Sequence, residues 1–155
     1  MGDFLIERLT PHRFLEVAEL EELCFSLPWS EKSLELLVVD KNVGFVAIDR
    51  KTGHVAAYGG MLTVLDEGQI TNIATHPDYR RRGLGESIVR EFIRYAEEEK
   101  ISFISLEVRE SNRAAISLYE KLGFCTAGVR KNFYTLPREN GIVMTKNIGE
   151  LTLCE

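Results

Sequence analysis

Apolar positions along the chain recur at two different periods, and the change of period marks the elements. Phe4 to Leu9 reads as a short strand, after which Thr10 is a helix cap and Pro11 takes the first helical position. Phe14, Val17 and Ala18 then follow at helical spacing. This first helix is predicted to end near Cys24, because the residue before a proline avoids helical backbone and Leu27-Pro28-Trp29 therefore runs extended. Ser30 caps a second, short helix carrying Leu34 and Leu37, so the segment forms a helical elbow. From Val43 the period shortens. Strands are predicted from Val43 to Ile48, Val55 to Val64 and Gln69 to Thr75, with turns at Lys51-Thr52-Gly53 and Asp66-Glu67-Gly68, which makes an antiparallel meander.

The helical period returns at Gly83, where Leu84, Ile88, Phe92 and Ala96 share one face up to the polar end Glu97-Glu98-Glu99-Lys100. A buried strand, Ile101 to Val108, follows. Ser111 or Asn112 caps a further helix whose Ala115, Leu118, Tyr119 and Leu122 share a face, and Gly123 closes it. Two strands, near Phe124 to Phe133 and Ile142 to Asn147, end the pattern. A three-strand antiparallel run with one strand-helix-strand crossover is a mixed α/β arrangement, of the α+β class. No repeat or linker interrupts it, and 155 residues suit one core, so a single domain over residues 1–155 is expected.

Composition narrows the class. The chain is 45% hydrophobic and 28% charged, and no apolar run approaches the roughly 18 residues of a membrane span, so no membrane association is expected. Met1-Gly2-Asp3-Phe4 lacks a basic leader and an apolar signal core, and Ile6 stands where a myristoylation signal needs Ser or Thr. An unprocessed cytoplasmic protein is expected. Cys24, Cys125 and Cys154 are odd in number, far apart and without metal-ligand spacing, which predicts reduced thiols and no metal site. The histidines His12, His54 and His76 show no catalytic pattern. A net charge of -5 argues against direct nucleic-acid binding and suits a basic protein partner.

One segment carries candidate chemistry. Ile73-Ala74-Thr75-His76-Pro77-Asp78-Tyr79-Arg80-Arg81-Arg82-Gly83-Leu84-Gly85-Glu86 runs strand, turn, helix. Glycines at 83 and 85 let backbone N–H groups point inward, and the helix adds its positive N-terminal end, a combination that binds pyrophosphate. The plainer alternative is a solvated basic turn before a helix. A Walker loop is absent, and the dinucleotide fingerprint fails at its third glycine, where Ile88 stands.

The string from Asn72 to Gly85 resembles the acetyl-CoA motif of the GCN5-related N-acetyltransferase (GNAT) superfamily, Gln/Arg-x-x-Gly-x-Gly/Ala, met by Arg80, Gly83 and Gly85. Leu106 to Phe124, containing Glu107-Val108-Arg109-Glu110-Ser111-Asn112-Arg113-Ala114-Ala115 and Leu118-Tyr119-Glu120-Lys121-Leu122-Gly123, resembles the family's second cofactor motif. With Phe25-Ser26-Leu27-Pro28-Trp29-Ser30, the chain is most similar to the RimI branch, which acetylates the N-terminal alanine of small-subunit ribosomal protein number eighteen. The resemblance implies about seven strands and four helices, with the fourth and fifth strands splayed around the pantetheine arm. It implies that Ile73, Ala74 and Thr75 bind the pantetheine, and that Arg80, Arg81, Arg82, Gly83, Leu84, Gly85 and Glu86 form the pyrophosphate turn. Asn112 matches a position that bonds the cofactor arm, though a plain helix cap explains it equally.

The same resemblance implies Glu107 as base and Tyr119 as acid. Glu107 lies at the end of an otherwise apolar strand, either as a base or as a strand-end acid paired with Arg109 or another cation. Tyr119 lies on an apolar helix face, as core or as proton donor to the departing thiolate. No Cys-His or Ser-His-Asp arrangement suggests an acetyl-enzyme, so direct attack in a ternary complex is expected. Leu27, Pro28 and Trp29 on the elbow and Tyr134 between the last strands are the expected recognition surface for a protein N-terminus; Trp29 equally fits the core. Phe133-Tyr134 replaces the family's usual Tyr-Tyr, and Asn140 stands where relatives carry Asp. A lysine side chain, a polyamine or another small amine remains open as acceptor, as does a non-catalytic acyl-CoA-binding module.

Overall fold

A computed structural model describes residues 2–149. Among the described residues seven strands form one sheet in the order β1-β2-β3-β4-β5-β7-β6. They are β1 (Phe4–Arg8), β2 (Val43–Asp49), β3 (Val55–Val64), β4 (Glu67–Thr75), β5 (Phe103–Arg109), β6 (Cys125–Thr135) and β7 (Arg138–Asn147). Among the described residues the α-helices are α1 (Phe14–Cys24), α2 (Glu31–Leu34), α3 (Leu84–Glu98) and α4 (Arg113–Lys121). The expected mixed α/β arrangement is therefore present, and the crossover through α3 leaves β4 parallel to β5, with Glu67, Gly68 and Gln69 opposite Phe103, Ile104 and Ser105. The described chain divides into two compact units. Residues up to Leu62 and from Thr71 to Phe92 form the first, and Thr63–Ile70 with the residues from Ile93 onward form the second.

In the first unit, α1 buries Phe14, Val17 and Ala18 as the spacing predicts, against Leu34, Leu37, Val46, Ile48, Val55 and Tyr58. The opposite face of the strands meets α3, whose Leu84, Ile88 and Phe92 are buried. Two adjacent glycines in β3 permit both contacts. A Cβ on Gly59 would stand 2.7 Å from Ile88 Cγ2, and one on Gly60 would stand 2.7 Å from Leu37 Cδ1. Ser30 caps α2 through its hydroxyl, which accepts from the Ser33 N–H. Thr10 departs from expectation. Pro11–Arg13 is a 3-10 turn that precedes α1, and the Thr10 hydroxyl pairs with His12 Nδ1 instead of capping the backbone.

In the second unit, β5 alternates strictly, burying Ile104, Leu106 and Val108 and turning Phe103, Ser105, Glu107 and Arg109 to the other face. The meander turn lies at Leu65-Asp66, earlier than predicted, with Leu65 at φ 56. Glu67 and Gly68 are drawn into β4 by pairing with β5, and the Glu67 carboxylate accepts from Ser105 Oγ at 2.8 Å. The last hairpin is longer than its apolar pattern, because Tyr134 and Thr135 pair with Glu139 and Arg138 through backbone that needs no hydrophobic face. The thiol expectation is also corrected. Cys24 is free, but Cys125 is disulfide-bonded, so an odd cysteine count does not exclude a bridge. Cys154 lies outside the described residues.

Candidate active site

The first unit carries the candidate phosphate turn. Tyr79 donates to Asp49 Oδ2 at 2.6 Å, which fixes the 3-10 turn Pro77–Tyr79 on β2. That bond, more than the Lys51 backbone N–H, holds the Asp49 carboxyl below its ordinary value, and it raises the Tyr79 phenol. Arg82 lies over the Tyr79 ring at 5.5 Å. Arg81 and Gly83 take positive φ of 65° and 75°, so the backbone curls twice before α3. The first ladder bond of the helix runs from the Ser87 N–H to the Gly83 carbonyl at 3.1 Å. The N–H groups of Gly83, Leu84, Gly85 and Glu86 therefore precede the ladder and make the positive end of the helix. Gly83 and Gly85 leave open space where a Cβ would stand, with Ile73 Cγ2 at 4.0 Å from the latter. Arg80, Arg81 and Arg82 are exposed, Leu84 is buried, and Glu86 is ion-paired to Arg90 at 2.8 Å. Arg80 turns back, its Nε donating to the Thr75 carbonyl at 3.3 Å.

The elbow belongs to the same unit. Leu27 and Pro28 are exposed, while Trp29 is partly buried and packs on the core, so the structure divides the three expected recognition residues. Cys24 Sγ donates to the Thr75 carbonyl at 3.5 Å, and burial pushes the thiol up, with Arg80 opposing. Ile73 and Thr75 are half-buried and Ala74 is buried.

The second unit gathers Glu107, Tyr119 and Tyr134. Tyr119 is held by the end of α4: Gly123, at φ 96, donates to the Glu120 carbonyl, and Phe124 donates to the Tyr119 carbonyl at 2.9 Å. This pair of bonds is a Schellman motif, and its hydrophobic contact is the Tyr119–Phe124 ring pair at 5.8 Å. The glycine expected to end the helix thus also fixes Tyr119. Burial, and secondarily Tyr134, pushes the Tyr119 phenol up to about 12. Asn112 is the residue that caps α4, its Oδ1 accepting from the Ala115 N–H at 3.2 Å.

Glu107 is half-buried and pairs with Arg130 Nη1 at 3.6 Å. The cation beside it is thus Arg130, while the Arg109 ion pair is with Glu139. Arg109 instead holds the β6–β7 loop, donating to the Leu136 and Pro137 carbonyls at 3.0 and 2.9 Å and to Glu139 at 3.2 Å. Its guanidinium lies 4.3 Å over the Tyr134 ring. Tyr134 is raised by burial first and by Glu107 second, with Arg109 opposing. Glu139, accepting from Ser111 and from Arg109, is held below the ordinary carboxylate value chiefly by Ser111. Asn140 accepts from the Asn132 N–H at 3.0 Å, as an aspartate would, and its Nδ2 donates to Glu110 Oε1 at 3.5 Å, which only an amide does. The sequence reading missed Arg130 and Arg109 as organisers, as well as Glu21, which continues the buried stripe of α1 and is 0% exposed. An acid on the 14-17-18-21 stripe was the available signal.

Among the described residues no group of three His, Cys, Asp or Glu side chains could hold a metal, and no helix is long and apolar enough to cross a membrane.

Comparison with known proteins adds a family. The model of the acetyltransferase (GNAT) family matches residues 14–124. A putative ribosomal protein bS18-alanine N-acetyltransferase of Bacillus subtilis is 38% identical over 134 residues, 86% of this chain and 89% of the relative. The ribosomal protein bS18-alanine N-acetyltransferase of Escherichia coli K12 is 39% identical over 132 residues, 84% of this chain and 88% of the relative. The crystal structure of the Escherichia coli ribosomal-protein-S18-alanine N-acetyltransferase superposes with a TM-score of 0.84 at 34% identity, covering 98% of this chain and 96% of that one.

Proposed function

Because the chain belongs to the acetyltransferase (GNAT) family, we propose that it transfers the acetyl group of acetyl-CoA to the N-terminal alanine of ribosomal protein bS18. The observation that carries this reading is likeness to bS18-alanine N-acetyltransferases over most of both chains. The family match runs through both units, which supports one catalytic domain over residues 1–155. A basic ribosomal acceptor suits the net charge of -5 and implies work in the cytoplasm, with neither membrane nor nucleic acid as direct partner.

In this reading the pyrophosphate of acetyl-CoA takes the turn Arg80-Arg81-Arg82-Gly83-Leu84-Gly85-Glu86. The unladdered N–H groups and two positive-φ residues supply donors, and the arginines supply charge. The pantetheine runs along Ile73, Ala74 and Thr75 of β4, and the amide of Asn112, with Oδ1 engaged in the cap, donates to the same arm. Leu27, Pro28, Trp29 and Tyr134 receive the acceptor peptide.

Glu107 accepts a proton from the attacking amine, directly or through water, as nitrogen bonds to the acetyl carbonyl carbon. The C–S bond then breaks, and Tyr119 hydrogen-bonds the departing sulfur and protonates it, giving free CoA and an N-acetyl peptide. With its pKa pushed up to about 12, Tyr119 keeps its proton through the working range. A thiolate, at about 8.5 in reference, draws that proton only while the surrounding site stabilises the phenolate, so hydrogen bonding does much of the work. An α-amino group, near 8, is deprotonated far more readily than lysine, near 10.4, which favours N-terminal acceptors for a carboxylate base. Initial rates on an Ala-Arg-initiated peptide and its N-terminally blocked counterpart, with wild type and Glu107→Gln, test the reading. Turnover of the unblocked peptide, strongly reduced in the variant, supports it; equal turnover of the blocked peptide through an internal lysine overturns it.

A further inference from the structure

Glu21 is the single charged residue buried outright among the described residues, at 0% exposure. Three segments of the first unit converge on it. Its Oε1 accepts from the Trp29 backbone N–H at 2.9 Å, and its Oε2 accepts from Asn72 Nδ2 at 2.5 Å and from the Tyr58 hydroxyl. Tyr58 belongs to β3, Asn72 to β4 and Trp29 to the elbow between α1 and α2. A carboxylate accepts several hydrogen bonds without a donor of its own to place, so it can collect three donors from three directions where an amide cannot. The Tyr58 phenol is held in its protonated form, raised by burial first and by the Glu21 charge second, which keeps its donor available.

The arrangement has a direction. Glu21 meets the elbow at its backbone, immediately after Pro28, and the Trp29 side chain packs on the core while Leu27 stays 67% exposed. A second tether lies one turn on, where Cys24 Sγ reaches the Thr75 carbonyl that Arg80 also binds. The elbow and the end of α1 that leads into it are thereby fastened to the two ends of the β4 stretch Asn72–Thr75.

We propose that Glu21 is a positioning residue for acceptor recognition, fixing the Leu27-Pro28-Trp29 elbow in register with the strand segment that carries the acetyl donor. This rests on the reading of the elbow as part of the acceptor site. Loss of the carboxylate leaves β3 and β4 paired but releases the elbow backbone, so acceptor binding suffers more than donor binding.

Trp29 is the chain's sole tryptophan, so its fluorescence reports the elbow without any substrate. The experiment compares wild type with Glu21→Gln, and with Glu21→Asp should the first variant not fold, by tryptophan emission, acrylamide quenching, circular dichroism and steady-state kinetics on an alanine-initiated peptide. A variant with native circular dichroism is expected to show red-shifted, more quenchable emission. The peptide KM is expected to rise roughly 10-fold, the scale of one lost bond to a charged group, with kcat and the acetyl-CoA KM within about 2-fold. Wild-type emission in a folded variant overturns the tether, and equal increases in both KM values overturn the positioning role. If the wild-type enzyme turns over no N-terminal peptide, the acceptor reading fails on its own, while the emission comparison still decides whether Glu21 holds the elbow.

Discussion

Replacing Tyr119 with phenylalanine separates the phenol's titration from its packing. Burial, with Tyr134 adding to it, moves this group from an ordinary 10.0 to about 12. The folded protein therefore keeps the proton where the unfolded chain has lost it. The protonated phenol's contribution to stability is complete below about pH 10 and is withdrawn as pH climbs through about 12. At about pH 11 the withdrawal amounts to about 1.4 kcal/mol, and well above pH 12 it approaches about 2.7 kcal/mol. Urea unfolding followed by circular dichroism, on wild type and Tyr119→Phe at about pH 8.5 and about pH 11, measures it. Groups that titrate in both proteins and are not coupled to Tyr119, Tyr58 among them, cancel in the difference. Wild type is expected to lose about 1.4 kcal/mol more than the variant between the two pH values. Parallel losses in the two proteins would refute the argument, because the phenol would then titrate alike folded and unfolded. Near neutral pH the same substitution is expected to lower kcat by about 10²–10⁴-fold, the range for loss of a general acid.

Further consequences follow from particular contacts. Gly59→Ala sets a Cβ 2.7 Å from Ile88 Cγ2 and 3.0 Å from Phe92 Cε2, both buried side chains. The overpacking should cost about 1–3 kcal/mol, read as a lowered Tm with retained activity at low temperature. Gly83→Ala meets no steric obstacle but forces a Cβ into φ 75°, so acetyl-CoA affinity by calorimetry should fall while the core stays intact. Arg109→Ala removes the donors to Leu136, Pro137 and Glu139 and the cation over Tyr134; a higher peptide KM with an unchanged acetyl-CoA KM is the expected signature. Glu107→Gln should lower kcat by about 10²–10⁴-fold without a matching loss of acetyl-CoA affinity.

The parts of the fold legible in the sequence were those with a strong period or a capping residue. The stripe Leu84, Ile88, Phe92 and Ala96 is buried throughout, Ser30 and Asn112 cap their helices, and Gly123 ends α4. The boundaries that moved were set by pairing. Glu67 and Gly68, turn residues by composition, join β4 because β5 lies alongside, and Arg138–Asn140 extend β7 with polar side chains that show no alternation. The candidate site was legible as positions but not as partners. Glu107 lies on the polar face of β5, yet its cation is Arg130, 23 positions on in sequence and reached by the β6–β7 register. The collection of three donors by Glu21 likewise depends on which distant segments meet.

The proposed acceptor is an unprotonated N-terminal amine. Mass spectrometry of an equimolar mixture of an alanine-initiated peptide, the same peptide acetyl-blocked with an internal lysine, and spermidine, incubated with the enzyme and acetyl-CoA, tests it most directly. One acetyl group on the first peptide's N-terminus and none on the others is expected at early times. Preferential acetylation of the lysine or of spermidine would contradict it.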